Sequence, residues 1–173
     1  GGTYCDNETS GCNAWSSAYN PTGNFVNKIR SGTVLKDAAI NIYLNGKYKN
    51  SLKQPDLINT ATTWNIGPTG VYDDTSDIEQ LQILESAYTW TGDIAFATKS
   101  EYMRANTNKS CLIDNELFSN HLMCKTTNYL YKNEYFWWLL SPTNNSTYFI
   151  ETADTDGRSI GHRAFNNEGG VSP

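Results

Sequence analysis

The densest apolar run in the chain is Tyr135-Phe136-Trp137-Trp138-Leu139-Leu140, closed by Ser141-Pro142. Large aromatic and aliphatic side chains in succession suit a pleated, buried surface. Proline lacks an N–H and cannot continue a central ladder, so Pro142 marks the exit. The run predicts a central strand over residues 135–140. The alternative, a buried helical segment, requires a longer stretch. Nothing in the run is chemically reactive, which points to a scaffold.

The remaining pattern falls into short elements. Residues 37–44 place Ile40, Tyr43 and Leu44 on one helical face, with Asp37 as N-cap and Asn45-Gly46 as the stop. A short helix is expected after Pro55, with Leu57 and Ile58 facing inward. Trp64-Asn65-Ile66-Gly67 reads as a short strand. Ser76-Asp77-Ile78-Glu79 reads as a capping box, Ser76 accepting from the Glu79 amide while Glu79 reaches back. Ile78, Leu81, Leu84 and Tyr88 then follow at helical spacing. Asp73, Asp74, Asp77 and Glu79 complement the start of that helix dipole better than they form a metal site. Residues 93–97 predict a strand and 100–104 one or two helical turns. Residues 106–128 form a long polar segment. Residues 147–152 and 158–162 flank Asp154-Thr155-Asp156-Gly157, a hairpin signal. Residues 1–23 are rich in Gly, Ser and Asn and read as an arm, anchored by Trp15 and Tyr19.

Composition narrows the class. Only 38% of residues are hydrophobic but 13% are aromatic, so the core is built from few, large side chains. A net charge of -5 with no basic block gives no footprint for nucleic acid or an anionic membrane. No apolar run approaches the roughly 20 residues that span a bilayer, so no membrane contact is expected from this segment. The Gly1-Gly2 start, without a visible signal peptide, reads as a mature or trimmed terminus.

Four cysteines fall in two local pairs, Cys5/Cys12 and Cys111/Cys124, and only His121 and His162 could join them at a zinc site. The even count points to disulfides and an oxidising compartment. Three connectivities are open. Local pairing, Cys5 with Cys12 and Cys111 with Cys124, is favoured because each bridge would staple a polar loop. Four reduced thiols are the alternative.

Several of these residues carry a resemblance. The sequence runs Trp90-Thr91-Gly92, Ile94, Phe96, then Ser100-Glu101-Tyr102, the second cysteine pair, Tyr129-Leu130, Trp138-Leu139-Leu140-Ser141-Pro142, an Asp-Gly hairpin, and Gly170-Val171-Ser172-Pro173. This resembles a module of surface and pilin-like proteins of gut Firmicutes. It is also similar to the C-type-lectin-like domains of diversity-generating retroelement variable proteins. Residues 37–67 resemble the segment that precedes the module, and some such proteins begin with a prepilin-like leader. The resemblance covers about residues 25–173.

It implies an α+β, C-type-lectin-like fold, with a twisted mixed or antiparallel sheet, peripheral helices and two disulfides. Residues 1–24 would be a disulfide-stapled arm and 25–173 the lectin-like domain. Members continue beyond the G-V-x-P with a last apolar strand. Here that strand would be absent or supplied by another chain, at an open sheet edge. Lys99 stands where the family usually has proline, which would loosen that turn. The calcium-binding tripeptides of true C-type lectins are absent.

The resemblance also implies an exposed C-terminal binding face. Its candidates are Asn144, Asn145, Tyr148, Asp154, Asp156, Arg158, His162, Arg163, Asn166 and Asn167. Hydrogen-bonding side chains beside aromatic rings suit a glycan or a partner protein. A structural calcium at Asp154 and Asp156 is less favoured than a plain turn, because Glu168 is out of register for a calcium loop.

Formylglycine-generating enzymes have a similar fold but need a reactive cysteine pair, and Cys111 and Cys124 fit a staple better. No G-x-S-x-G, H-E-x-x-H or phosphate-cradling glycine loop occurs. The expectation is an extracellular bacterial binding or adhesion module, cofactor-free and not an enzyme, forming the head of a pilin-like subunit. The alternative is a structural subunit that self-assembles with its neighbours by strand or arm exchange.

Overall fold

A computed structural model of the chain describes residues 44–67, 69, 77–113, 119–131, 137–142 and 149–163. Over these residues the protein is α+β, with short helices and antiparallel strands in two small sheets. Residues 1–43, with Cys5, Cys12 and all but the last residue of the helix expected over 37–44, and residues 164–173 lie outside them.

The aromatic run forms β3 (Trp137–Pro142), ending at the proline. Its alternation divides the core. Trp138 and Leu140 pack with Leu44, Ile66 and Trp90, and against partly buried Trp64, Tyr88 and Phe96. Trp137 and Leu139 face the other way, toward Ile78, Leu81, Tyr102, Met103, Ala153 and the Cys111–Cys124 bridge. Period-two side chains thus make one strand the shared wall of two apolar clusters. Among the described residues β3 is at one edge of the ladder. The described sheet runs β3, β4 (Phe149–Ala153), β5 (Ser159–Arg163), all antiparallel. The Leu140 N–H donates to the Ala97 carbonyl at 2.7 Å, tying β3 to the segment before α3. The strand is central by burial.

A second sheet pairs β1 (Thr62–Asn65) with β2 (Thr89–Gly92), Trp64 opposite Trp90. The Trp64 indole N–H donates to the Gly92 carbonyl at 2.9 Å. A Cβ on Gly92 would lie 1.9 Å from the Trp90 ring, so glycine lets the indole fold across the strand.

Several expected boundaries move. Asn45-Gly46 does not stop a helix. A π turn runs through it, Leu44–Tyr48, into a single turn α1 (Lys49–Ser51). The Asn45 side chain is spent elsewhere. Its Oδ1 accepts from the amides of Asp93 and Ile94, and its Nδ2 donates to the Ile94 carbonyl. That clip replaces the strand expected over 93–97, which has no ladder partner among the described residues. Pro55–Leu57 is a 3-10 turn, and Leu57 points outward at 77% exposure, because so short a turn has no second layer to face. The strand expected at 64–67 begins and ends earlier, at Thr62–Asn65.

Helix α2 (Ile78–Glu85) is capped one residue later than expected. Asp77 Oδ1 accepts from the amides of Glu79 and Gln80, and Gln80 Oε1 accepts from the Asp77 amide. A carboxylate one position nearer the helix takes the role assigned to Ser76. Ile78 and Leu81 are buried as their spacing requires, but Leu84 is exposed and Glu85 is buried in its stead.

Helix α3 (Lys99–Arg104) has Thr98 as N-cap in a capping box with Glu101. The polar 106–128 segment has regular turns over its described residues, 106–113 and 119–128. It contains a 3-10 turn, Lys109–Leu112, and α4 (His121–Thr127), joined by a Cys111–Cys124 disulfide with Cα atoms 5.7 Å apart. Of the two bridges expected, this one is present.

Candidate ligand-binding face

The β4–β5 hairpin closes where Asp154-Thr155-Asp156-Gly157 predicts it. The Gly157 amide donates to the Asp154 carbonyl at 3.0 Å and the Asp154 amide to the Arg158 carbonyl at 2.9 Å. Gly157 has φ +83°, the left-handed conformation that ends a three-residue hairpin loop and that glycine adopts without strain.

Side chains then fix the turn. Asp154 Oδ1 accepts from the amides of Asp156 and Arg158, at 2.9 and 2.8 Å. The Arg158 guanidinium spans both carboxylates, Nε to Asp154 Oδ2 at 2.9 Å and Nη2 to Asp156 Oδ2 at 2.8 Å. Asp154 is nearly buried, while Asp156 is 46% exposed by side chain and Arg158 29%. Arg158 therefore sits on the oxygens that a calcium ion would use. Among the described residues, no group of three or more Asp, Glu, His or Cys is placed to hold a metal.

Two phenols anchor the turn from behind. Tyr102 on α3 donates to the Gly157 carbonyl at 3.1 Å, and Tyr131 donates to the Thr155 carbonyl. Both phenols are pushed above the ordinary tyrosine range. For Tyr102 the main cause is burial, followed by the Asp154 carboxylate and Tyr131. For Tyr131 it is again burial first, then the carboxylates of Asp156 and Asp154. Each phenol stays a donor throughout the neutral range.

Of the ten candidate residues, the structure brings together Asp154, Asp156 and Arg158. His162 and Arg163 lie on β5 by backbone, their side chains outside the described set. Asn144, Asn145, Tyr148, Asn166 and Asn167 also fall outside it.

What the sequence reading missed is a buried polar network between α2, α3 and the β3–β5 sheet. Glu85 Oε1 accepts from the Ser100 amide at 3.0 Å and the Ser141 hydroxyl at 2.8 Å, and Oε2 from the Ser100 hydroxyl. The Lys99 amide donates to Ser141 Oγ at 2.8 Å. The Lys99 ammonium faces Glu151 Oε2, which also accepts from Ser159 Oγ at 2.9 Å. Lys99, expected to loosen its turn, is instead tied on both sides. It has an N–H that proline lacks, and it spends that N–H on β3 and its side chain on β4.

No protein-family model matches the chain, and comparison with curated proteins and with solved structures finds no match either.

Proposed function

We propose that this protein is an extracellular binding or adhesion module of C-type-lectin-like fold on a bacterial surface, cofactor-free and not an enzyme. It recognises a glycan or a protein ligand as the head of a pilin-like subunit. The observation that carries the reading is the 154–158 turn. Its polar groups are held in one geometry by the Arg158 clamp and two tyrosine anchors, while Thr155 and Asp156 remain open to solvent. A pre-organised polar face loses little conformational entropy on binding. The engagement of Glu85 and Glu151 with core hydroxyls and Lys99 fits a scaffold role for the buried carboxylates.

The test is binding of the full chain to an oligosaccharide array and to host surface proteins, with Asp156→Ala, Arg158→Ala and Tyr148→Ala variants. The reading expects a ligand whose affinity falls about tenfold or more in at least one variant. Binding unchanged in all three would move the ligand off this face. No binding, together with high-mass filaments in the native preparation, would replace the reading with a self-assembling structural subunit.

A further inference from the structure

We propose that the Cys111–Cys124 disulfide is a redox-sensitive latch on the 154–158 turn. Intact, it holds that turn in its clamped geometry; reduced, it releases the turn while the sheet persists.

Cys124 lies in α4 beside Lys125. Lys125 is the residue on which Gly157 rests. A Cβ on Gly157 would stand 2.4 Å from Lys125 Cβ and 3.1 Å from its Cα. The Lys125 ammonium lies 5.9 Å from the ring centre of Tyr131, whose hydroxyl holds the Thr155 carbonyl. One short helix thus supplies the floor under Gly157 and a cation over the tyrosine that anchors Thr155.

That helix has seven residues, too few to persist unaided. Its C-terminal end is tied to the body by the Thr107 amide donating to the Thr127 carbonyl and by the Asn128 side chain donating to the Tyr102 carbonyl. Its middle is tied by the disulfide.

Both cysteines are fully buried, so a reductant reaches them only after the structure around them opens. A dithiol then attacks one sulfur and the S–S bond breaks. The second thiol of the reagent closes its own disulfide. Two electrons and two protons remain on Cys111 and Cys124 as thiols. Without the cross-link α4 frays, and Gly157 and Tyr131 lose their support together. The turn's internal Arg158 clamp stays possible but is no longer held against the body. Trp137, Leu139 and Ala153 pack in the cluster that holds the bridge, but β3, β4 and β5 keep a ladder of their own, so the sheet outlasts the turn.

This coupling needs no ligand to be read. The experiment is amide hydrogen exchange on the full chain, oxidised and after dithiothreitol, with thiol alkylation to verify reduction. A Cys111→Ser/Cys124→Ser variant and a Gly157→Ala variant with the disulfide intact complete the set. Expected on reduction is an increase of about tenfold or more in exchange at Gly157 and Arg158, with Trp138, Thr152 and Ile160 unchanged. Gly157→Ala should raise turn exchange in the oxidised protein both through its left-handed φ and through the clash with Lys125, and should raise it less once the bridge is reduced, because the clash is then relieved. Turn exchange unaffected by verified reduction overturns the proposal. So does uniform exchange across turn and sheet, which would make the bridge a staple of the whole domain. If the double-serine chain fails to fold, the reduced protein and Gly157→Ala still decide.

Discussion

Lys99 and Glu151 face each other at 3.6 Å with neither side chain exposed to solvent. The pair joins the first turn of α3 to the middle of β4, and Ser159 adds a hydrogen bond from β5. Desolvating two charges is costly, and their attraction with added hydrogen bonds offsets it only while both are present. Lys99→Met should therefore destabilise the protein by about 3–5 kcal/mol, leaving a buried carboxylate without its ammonium. Lys99→Met combined with Glu151→Leu should recover most of that loss. Urea unfolding of the two variants checks it. Equal destabilisation in both would mean that packing around the stems, and not charge, holds the site.

The start of α2 separates what the sequence carries from what it hides. A capping box was legible there, but Ser76 and Asp77 are both good caps and the local pattern does not choose between them. The backbone chooses Asp77, extended at φ -80°, ψ 174°. Asp77→Ala should cost about 0.5–2 kcal/mol and Ser76→Ala clearly less. Thermal unfolding of both distinguishes them, and the reverse order would return the cap to Ser76.

Local chemistry was readable wherever one turn decides it. The Asp-Gly hairpin, the aromatic strand with its proline exit, the helix after Lys99 and the second cysteine bridge are of this kind. Glu85, Lys99, Ser141 and Glu151 were not readable. Each is an ordinary polar residue along the chain, and only tertiary packing brings them together. The same limit applies to residues 93–97. Their alternation suits a strand, but Asp93 and Ile94 are held by the Asn45 side chain and Ala97 by the Leu140 amide, both many residues away.

Acid should weaken the Lys49–Asp93 clamp. The hydrogen bond from Lys49 at 2.7 Å, and then that from the Ala61 amide at 2.8 Å, hold the Asp93 carboxyl below its usual range, against a smaller opposing effect of burial. A depressed carboxyl contributes stability that is full above the unfolded value of about 3.9. That contribution is lost as pH falls through the lower folded value. Unfolding measured from pH 6 down to pH 2 should show an acid limb that flattens in Asp93→Asn. An identical limb in that variant would show that other carboxylates carry it. At the alkaline end the sign reverses for Tyr102. Its raised phenol contributes stability below about pH 10 that is lost as pH climbs toward the folded value.

Two glycines should respond oppositely to alanine. Gly46 lies in the π turn, with nothing within 4 Å of a would-be Cβ and no positive φ. Gly46→Ala removes backbone freedom from the unfolded chain and should stabilise by about 0.4–1 kcal/mol. Gly67 follows β1 where the chain meets the end of α2. Its amide donates to the Glu85 carbonyl at 2.7 Å, and a Cβ would fall 2.0 Å from the Leu84 carbonyl oxygen. Backbone cannot move aside as a flexible side chain can, so Gly67→Ala should push α2 from β1 and destabilise by about 1–3 kcal/mol. The strain passes directly to Glu85, whose carboxylate gathers Ser100 and Ser141. Denaturant unfolding gives both signs, and a neutral Gly67→Ala would show that the junction between β1 and α2 is looser than its hydrogen bond requires.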